Sequence, residues 1–233
     1  MDSELTIFTP THVAETSFDE ITACVEAFHK KAKGFEKYKH LIVCDSDPAK
    51  GELVDKYIDF LRELETKHTQ ISVIHRKNSG LRKNYLYAVE HITSPYMMFL
   101  EHDWELTTDI DLDLLVRLFR EYPQVNYLRF NHLNNNDMSG YDNYHEDCPE
   151  IPLVPLLKVD AWHNVVHMIR REHFKNSWAP LIDTWSIEAC LTQKYQQQVA
   201  ALGFTEAHKR WGTYIYGKTD SSPVVYKGIG ICF

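Results

Sequence analysis

An apolar run, Tyr96-Met97-Met98-Phe99-Leu100, stops abruptly at Glu101-His102-Asp103. Two carboxylates one residue apart can both reach one hard cation, with the chain turning between them, and such a cation can in turn hold phosphate oxygens. On a strand the side chain between them points to the other face, so His102 is expected to look away from that ion. Two further apolar runs stop in the same manner. Leu5 to Thr9 ends in Thr9-Pro10-Thr11, and His40 to Cys44 ends in Asp45-Ser46-Asp47. A carboxylate at Asp45 can accept the imide N–H of a uracil, or the ring N–H and amino group of a guanine. The plainer alternatives are a charged strand-end turn at residues 101–103, and turn chemistry at Asp45 and Asp47 ahead of Pro48.

These residues can act together only if the strands carrying them lie side by side and point the same way. The pattern predicts that arrangement. Ser17-Phe18-Asp19-Glu20 fits a capping box, and Ile21, Cys24, Val25 and Phe28 follow at helical spacing to a stop near Gly34. A second helix carries Leu53, Tyr57, Phe60, Leu61 and Leu64 on one face. Ile71 to Ile74 reads as a third strand, and Ser79-Gly80 opens a third helix faced with Leu81, Tyr85, Ala88, Val89 and Ile92. Alternation of this kind predicts an α/β fold with a mostly parallel central sheet and helices on both faces. In such sheets ligands bind outside the carboxyl ends of the strands. Past Asp103 the pattern loosens. It predicts a helix on Leu112, Leu115, Val116 and Phe119, strands over 125–130 and 165–169, and a helix from Asp183 to Leu202 stopped by Gly203. Short β-prone runs follow at 213–216 and 224–226. Residues 132–150 read as a polar loop whose Tyr141 and Tyr144 are a candidate wall or lid.

Bulk properties narrow the field. A chain of 233 residues forms one large domain or two small ones. A formal charge of −8 argues against nucleic acid as a partner, since phosphate contacts need clustered Lys and Arg, but leaves room for a locally basic pocket. The cysteines, Cys24, Cys44, Cys148, Cys190 and Cys232, form no CxxC pair, so a reducing compartment, the cytoplasm, is expected. The N-terminus is acidic and no apolar run reaches the length of a membrane span, so neither a signal peptide nor a span is expected. The chain is equally compatible with being one domain of a larger protein. Neither GxGxxG nor GxxxxGK[ST] follows the first strand, and residues 9–17 contain no glycine. A metal ion is then the expected substitute for a glycine-rich phosphate cradle. His163 and His167 are four apart, but Asn164 stands where HExxH has its Glu, which argues against zinc.

Taken in order, these segments resemble the glycosyltransferases of the GT-A fold, above all the inverting family 2 type. The resemblance spans residues 5 to 200. Thr9-Pro10-Thr11 is similar to the turn that ends that family's first strand, and Asp45-Ser46-Asp47 loosely to the acidic end of its second. Asn78-Ser79-Gly80-Leu81-Arg82-Lys83-Asn84 resembles the N-x-G-x-x-x-A-R-N segment that precedes the metal strand, and Glu101-His102-Asp103 the Asp-x-Asp metal motif, with Glu in its first place. Farther on, Arg170-Arg171-Glu172-His173-Phe174 matches Arg-Arg-x-x-Phe, and Ile182-Asp183-Thr184-Trp185 matches Glu-Asp-Trp except that Ile182 replaces the Glu.

The resemblance implies a single GT-A domain over residues 1–233, with 1–104 binding nucleotide and metal and 105–233 binding and activating the acceptor. It implies that Thr9, Pro10, Thr11, Asp45 and Arg82 contact the nucleotide. Asp103, Glu101 and a late histidine, best matched by His208, would hold Mn2+ or Mg2+. Asp183 is the implied general base, with Glu188 in reserve; their plainer roles are a helix N-cap and a solvated helix face. Trp104 and Trp185 flank the acidic sites as candidate sugar-stacking faces. The implied reaction carries a sugar from a nucleoside-diphosphate donor, UDP or GDP, to a glycan or other hydroxyl acceptor with inversion. The rivals are a retaining transferase on the same fold, a sugar-nucleotide pyrophosphorylase, disfavoured by the glycine-free first loop, and a non-catalytic sugar- or protein-binding domain.

Overall fold

The computed structural model describes residues 3–133, 135 and 143–227. Strand β1 (Leu5–His12) leads into α1 (Ser17–Lys31), the two-residue β2 (Ala32–Lys33), β3 (Lys39–Ser46), α2 (Glu52–Lys67), β4 (Ile71–Lys77), α3 (Gly80–His91) and β5 (Tyr96–Phe99). Next come β6 (Trp104–Leu106), β7 (Ile110–Asp111), α4 (Leu112–Glu121), β8 (Tyr127–Arg129), β9 (His145–Asp147), β10 (Leu156–Val159) and β11 (His167–Arg170). The single turn α5 (Arg171–His173), α6 (Ile187–Leu202), α7 (Phe204–Trp211), β12 (Thr213–Tyr216) and β13 (Val225–Lys227) complete the chain.

One nine-stranded sheet, in the order β4-β3-β1-β5-β11-β8-β12-β10-β9, runs unbroken across residue 104. Only β11 and β10 run against the others. Side-chain alternation along β5 divides the core into two layers. Met98 packs with Leu5, Ile7 and residues of α1 and α4, whereas Met97 and Phe99 pack on the other face with residues of α3, α6 and α7. All three are 0% exposed, which is why this run carries no polar side chain until it leaves the sheet. Burial contributes roughly 1.5–3 kcal/mol for each such residue, so a charge at any of the three would disrupt a whole layer. Helix α2 lies beside α1, its Tyr57, Leu61 and Leu64 covering β3 and β4.

Several local expectations are corrected. Ser17 does not cap α1: it already lies within the helix, its hydroxyl is buried without a partner, and Thr16 holds the cap position in helical geometry. Glu20, the partner a capping box requires, faces His102 at 3.4 Å instead. Helix α6 starts at Ile187 rather than Asp183, because the Ser186 hydroxyl accepts the Ala189 N–H at 3.2 Å and is the cap. Within the polar loop, β9 extends the sheet edge and Tyr144 stacks on Phe204 at 4.8 Å; Tyr141 lies outside the described residues.

Two features of the second half are fixed by tertiary contact. Gly212 ends α7 with φ +59, and a Cβ there would lie 2.0 Å from the Gln124 carbonyl oxygen, so only glycine fits. The paired arginines after β11 reach in two directions. Arg170 donates to the carbonyls of Phe119 in the last turn of α4 and of Tyr122 and Val125 beyond it, at 2.5, 3.4 and 3.4 Å, and Arg171 donates to Val89 O near the end of α3 at 3.1 Å. Cations at helix C-termini satisfy carbonyls that have no partner within the helix and complement the helix dipole.

Candidate active site

The parallel register places the polar strand ends together. His12 pairs with Asp45 across β1 and β3, and Phe8 pairs with Phe99 across β1 and β5, so residues 9–12, 45–46 and 100–103 leave the sheet along one edge. A cavity of about 250 Å³ opens there, lined by Pro10, Thr11, His12, Asp45, Gly80, Leu81, Asn84, Glu101 and His102. Thr9 and Thr11 do not offer it their hydroxyls. Thr9 is fully buried and bonded to His40 Nε2 at 2.8 Å, and the Thr11 hydroxyl bonds Tyr57 OH at 2.6 Å. Their neighbour Pro10 faces the cavity.

Asp45 has its own local function. Its two oxygens accept the N–H groups of Ser79 and Gly80 at 2.8 and 2.6 Å. The chain makes both available by taking positive φ at Asn78 (+47) and Gly80 (+70). Asn and Gly are the residues that adopt this region at least cost, so the Asn-x-Gly spelling has a backbone reason. Asp45 therefore closes the base of α3 and lines the cavity with what remains of its carboxylate.

Glu101-His102-Asp103 is a turn rather than a strand: the Trp104 N–H bonds the Glu101 carbonyl at 3.0 Å. His102 is buried, edge-on to His12 at 4.9 Å and paired with Glu20, and because the segment is a turn, strand alternation does not set its direction: it lines the same cavity as Glu101. Burial, followed by the charges of Asp103, Glu105 and Glu101, pushes the Cys24 thiol up, which marks how much negative charge converges on this turn. Glu101 and Asp103 supply hard oxygen donors that suit Mn2+ or Mg2+. Among the described residues no group of three or more His, Cys, Asp or Glu is arranged to hold an ion. A two-carboxylate set is sufficient for a cation that completes its shell with substrate phosphate oxygens.

His208 is not brought to this turn. It lies on α7 with its Nε2 at 2.9 Å from Thr213 O, between the rings of Phe204 and Tyr214, and burial pushes its pKa down to about 4. Thr213 opens β12, three strands from β5 in the sheet, or about 14 Å at ordinary strand spacing, and level with Met97 rather than with the strand end. The other two histidines also have separate duties. His167 is buried and bonded to Tyr85 OH at 2.8 Å, while His163 pairs with Glu188 at 3.1 Å.

A second cavity, of about 360 Å³, adjoins the first along Gly80 and Leu81 and is bounded by Arg82, Lys83, Asn164, Trp185, Ser186 and Ile187. Arg82, expected at the nucleotide, lines this cavity and not the strand-end one, and spans from α3 to donate to Ile182 O at 3.1 Å. Glu188 stands in the first turn of α6 behind this cavity, where it accepts the Asn164 N–H at 3.3 Å. Burial pushes its carboxyl up, but His163, the Asn164 N–H and Arg129 outweigh that push and hold it below its ordinary value. Asp183 is exposed in the loop ahead of α6, held low by the Cys190 thiol and by Lys194 at 3.5 Å, and does not line the cavity. Trp185 is 87% exposed, whereas Trp104 is buried with its ring edge-on to His132 at 5.5 Å. The partnership of His163 with Glu188 was not legible in the sequence, because the nearest chemical pattern there was the His163–His167 spacing.

An α/β/α sandwich with acidic strand ends and a helix N-terminus across the cavity is the architecture of GT-A glycosyltransferases, and similar solved structures are of that kind. The mannosyltransferase PcManGT from Pyrobaculum calidifontis in complex with GDP-Man and Mn2+ matches 96% of this chain and 56% of its own, at TM-score 0.55 and 11% identity. S. aureus TarS 1–349 in complex with UDP-GlcNAc matches 100% of this chain and 60% of its own, at TM-score 0.61 and 11% identity. GalNAc-T7 with UDP, GalNAc and Mn2+ matches 97% and 43%, at TM-score 0.58 and 12% identity. At these identities the likeness is one of fold, and the chain spans little more than half the length of the first two. No curated protein sequence matches the chain. The profile of Glycosyl transferase family 2 matches residues 6–178, most of the chain, and the chain belongs to that family. Among the described residues no helix is long and apolar enough to cross a membrane.

Proposed function

We propose that this domain transfers a glycosyl group from a nucleoside-diphosphate sugar to a hydroxyl of a glycan or comparable acceptor, with inversion. The observation that carries the reading is the meeting of two cavities along Gly80 and Leu81. One is walled by the acidic strand ends, the other by the N-terminal turn of α6. Single displacement needs the leaving group and the base on opposite sides of the reacting carbon, and the two cavities offer those sides. UDP and GDP are the nucleotides to test first, since the similar structures carry them or their sugar conjugates.

Glu101 and Asp103 would hold Mn2+ or Mg2+, which when bound neutralises charge developing on the departing diphosphate. Pro10, Asp45 and the α3 turn wall the nucleotide. Of the two carboxylates considered as base, Glu188 is favoured over Asp183. It is partly screened from solvent, oriented by His163 and the Asn164 N–H, and ionised at neutral pH, ready to take the acceptor's proton. Asp183 faces solvent and is tied to Lys194.

Thermal denaturation with UDP, GDP and their sugar conjugates, with and without Mn2+, tests the reading, because a ligand that binds only the folded state raises the melting temperature. A Mn2+-dependent rise with one nucleotide, absent in Asp103→Ala, is expected. If no nucleotide shifts the transition under either condition, the reading is wrong.

A further inference from the structure

The second cavity carries a charge that the rest of the chain does not. In a protein of net charge −8, residues 66–89 hold Lys67, Arg76, Lys77, Arg82 and Lys83 and no carboxylate. Elsewhere lysines are neutralised across elements, as in Lys31–Asp109, Lys33–Asp111 and Lys175–Glu90. Arg76 instead lies over the Tyr87 ring at 4.1 Å, and Arg82 bonds only a carbonyl, its Nε buried and without a partner. Lys83 is exposed, and neither it nor Arg82 has a carboxylate partner among the described residues. Both line the cavity, and no carboxylate lines it with them. The nearest acids are already engaged: Asp45 by the Ser79 and Gly80 N–H groups, Asp183 by Lys194, and Glu188, behind the cavity, by His163 and the Asn164 N–H. Helices α3 and α6 are likewise closed, by Asp45 and Ser186, so recognition of charge here falls to the two side chains.

Across the same cavity stands Trp185, the most exposed large apolar side chain of the described residues. An open aromatic ring takes the C–H face of a sugar, and a guanidinium and an ammonium beside it take an anionic substituent through charge-assisted hydrogen bonds. We infer that the acceptor is an anionic glycan, a sugar bearing a phosphate or a carboxylate, stacked on Trp185 with its charge held by Arg82 and Lys83. The inference rests on the transfer reading above and adds the acceptor's charge class to it.

The test probes the full chain on an array of neutral, uronate-containing and phosphate-containing glycans, with a UDP and GDP thermal-shift series in Mn2+ run in parallel. Acidic glycans are expected to bind and neutral glycans of equal length not to, with binding that weakens as salt rises. The uronate and phosphate arms separate the two anions. Trp185→Ala and, independently, Lys83→Glu should each lower acidic-glycan binding at least tenfold while the nucleotide-induced shift persists. Trp185 is solvent-exposed, so its loss should leave the fold intact, and Lys83→Glu supplies a second reading if it does not. Equal binding of neutral and acidic glycans would overturn the inference. So would an equal loss of nucleotide binding in both variants, which would assign the cavity to the donor. Acidic-glycan binding with no nucleotide response would keep the anionic site and remove the transfer reading instead.

Discussion

Across β4, β3, β1 and β5 each strand is reached from the one before it in the chain through a helix that returns the chain to the same end, so β1, β3 and β5 deliver their polar residues to one edge. From β11 to β9 the directions are mixed, β11 and β10 running against the rest, strands are only three or four residues long, and the candidate functional side chains come from a loop and the first turn of α6. In the first region position follows from periodicity. In the second it follows from contacts between segments far apart in sequence, such as His163 with Glu188, and Asn126 with the Trp211 carbonyl. Under the proposed transfer, chemistry would be divided the same way: the regular region would present acid to a cation and nucleotide, and the irregular region a carboxylate and an open aromatic ring to the acceptor.

The largest effect that would sharpen this division is on turnover. Glu188→Gln should reduce transfer by about 10²–10⁴-fold with donor affinity retained, and Asp183→Asn should stay within tenfold of the native rate. Turnover assays with the nucleotide sugar identified by thermal shift would decide; the reverse ranking would return the base to the exposed loop. Next in size is a change of fold stability confined to the irregular region. Gly212→Ala forces a methyl against the Gln124 carbonyl at a left-handed position and should cost about 3 kcal/mol or more in denaturant unfolding. Gly80→Ala, at positive φ but with open space around it, should cost only about 1–2 kcal/mol. Equal losses would show that the two turns are not held differently.

Acid should weaken both regions. Burial pushes His40 in the first region and His167 in the second down to about 3, while an imidazole in the unfolded chain titrates near 6.5. Below about pH 6.5 the unfolded chain therefore binds protons that the folded chain does not. Stability is intact above that pH and declines toward pH 3, by up to about 1.4 kcal/mol per pH unit for each ring. Denaturant midpoints at pH 7 and pH 4.5 that coincide would contradict this. An effect as small as that of Gly80→Ala is expected from Asp45→Ala, which releases two N–H groups at the base of α3 and should cost about 1–2 kcal/mol with some loss of nucleotide affinity, read by unfolding and thermal shift together.

The contrast also explains what the sequence disclosed. The alternation of β1 through β5 was legible because each strand and helix carries its own period, and the strand-end position of Glu101 and Asp103 came with it. The boundaries of α6 were not, because Asp183 and Ser186 are both good caps and only the structure shows Ser186 in use. Helix α7 was hidden by Gly203, which both ends α6 and precedes Phe204, so a glycine that reads as a stop serves as a joint. Thr9 and Thr11 look like ligand groups by position, yet their hydroxyls are taken by His40 and Tyr57, partners on other elements. His208 fits a late histidine by order alone, and order does not encode that β12 stands three strands away.

The paired arginines after β11 have a mechanical consequence. Arg170 holds the far end of α4 and Arg171 the far end of α3, from adjacent residues on the strand that joins the two regions. The molecule is thus stapled along its back, opposite the strand-end edge. Clamshell opening about that seam would have to break both sets of carbonyl contacts, so any movement that admits a donor or releases a product must come from the segments at the front.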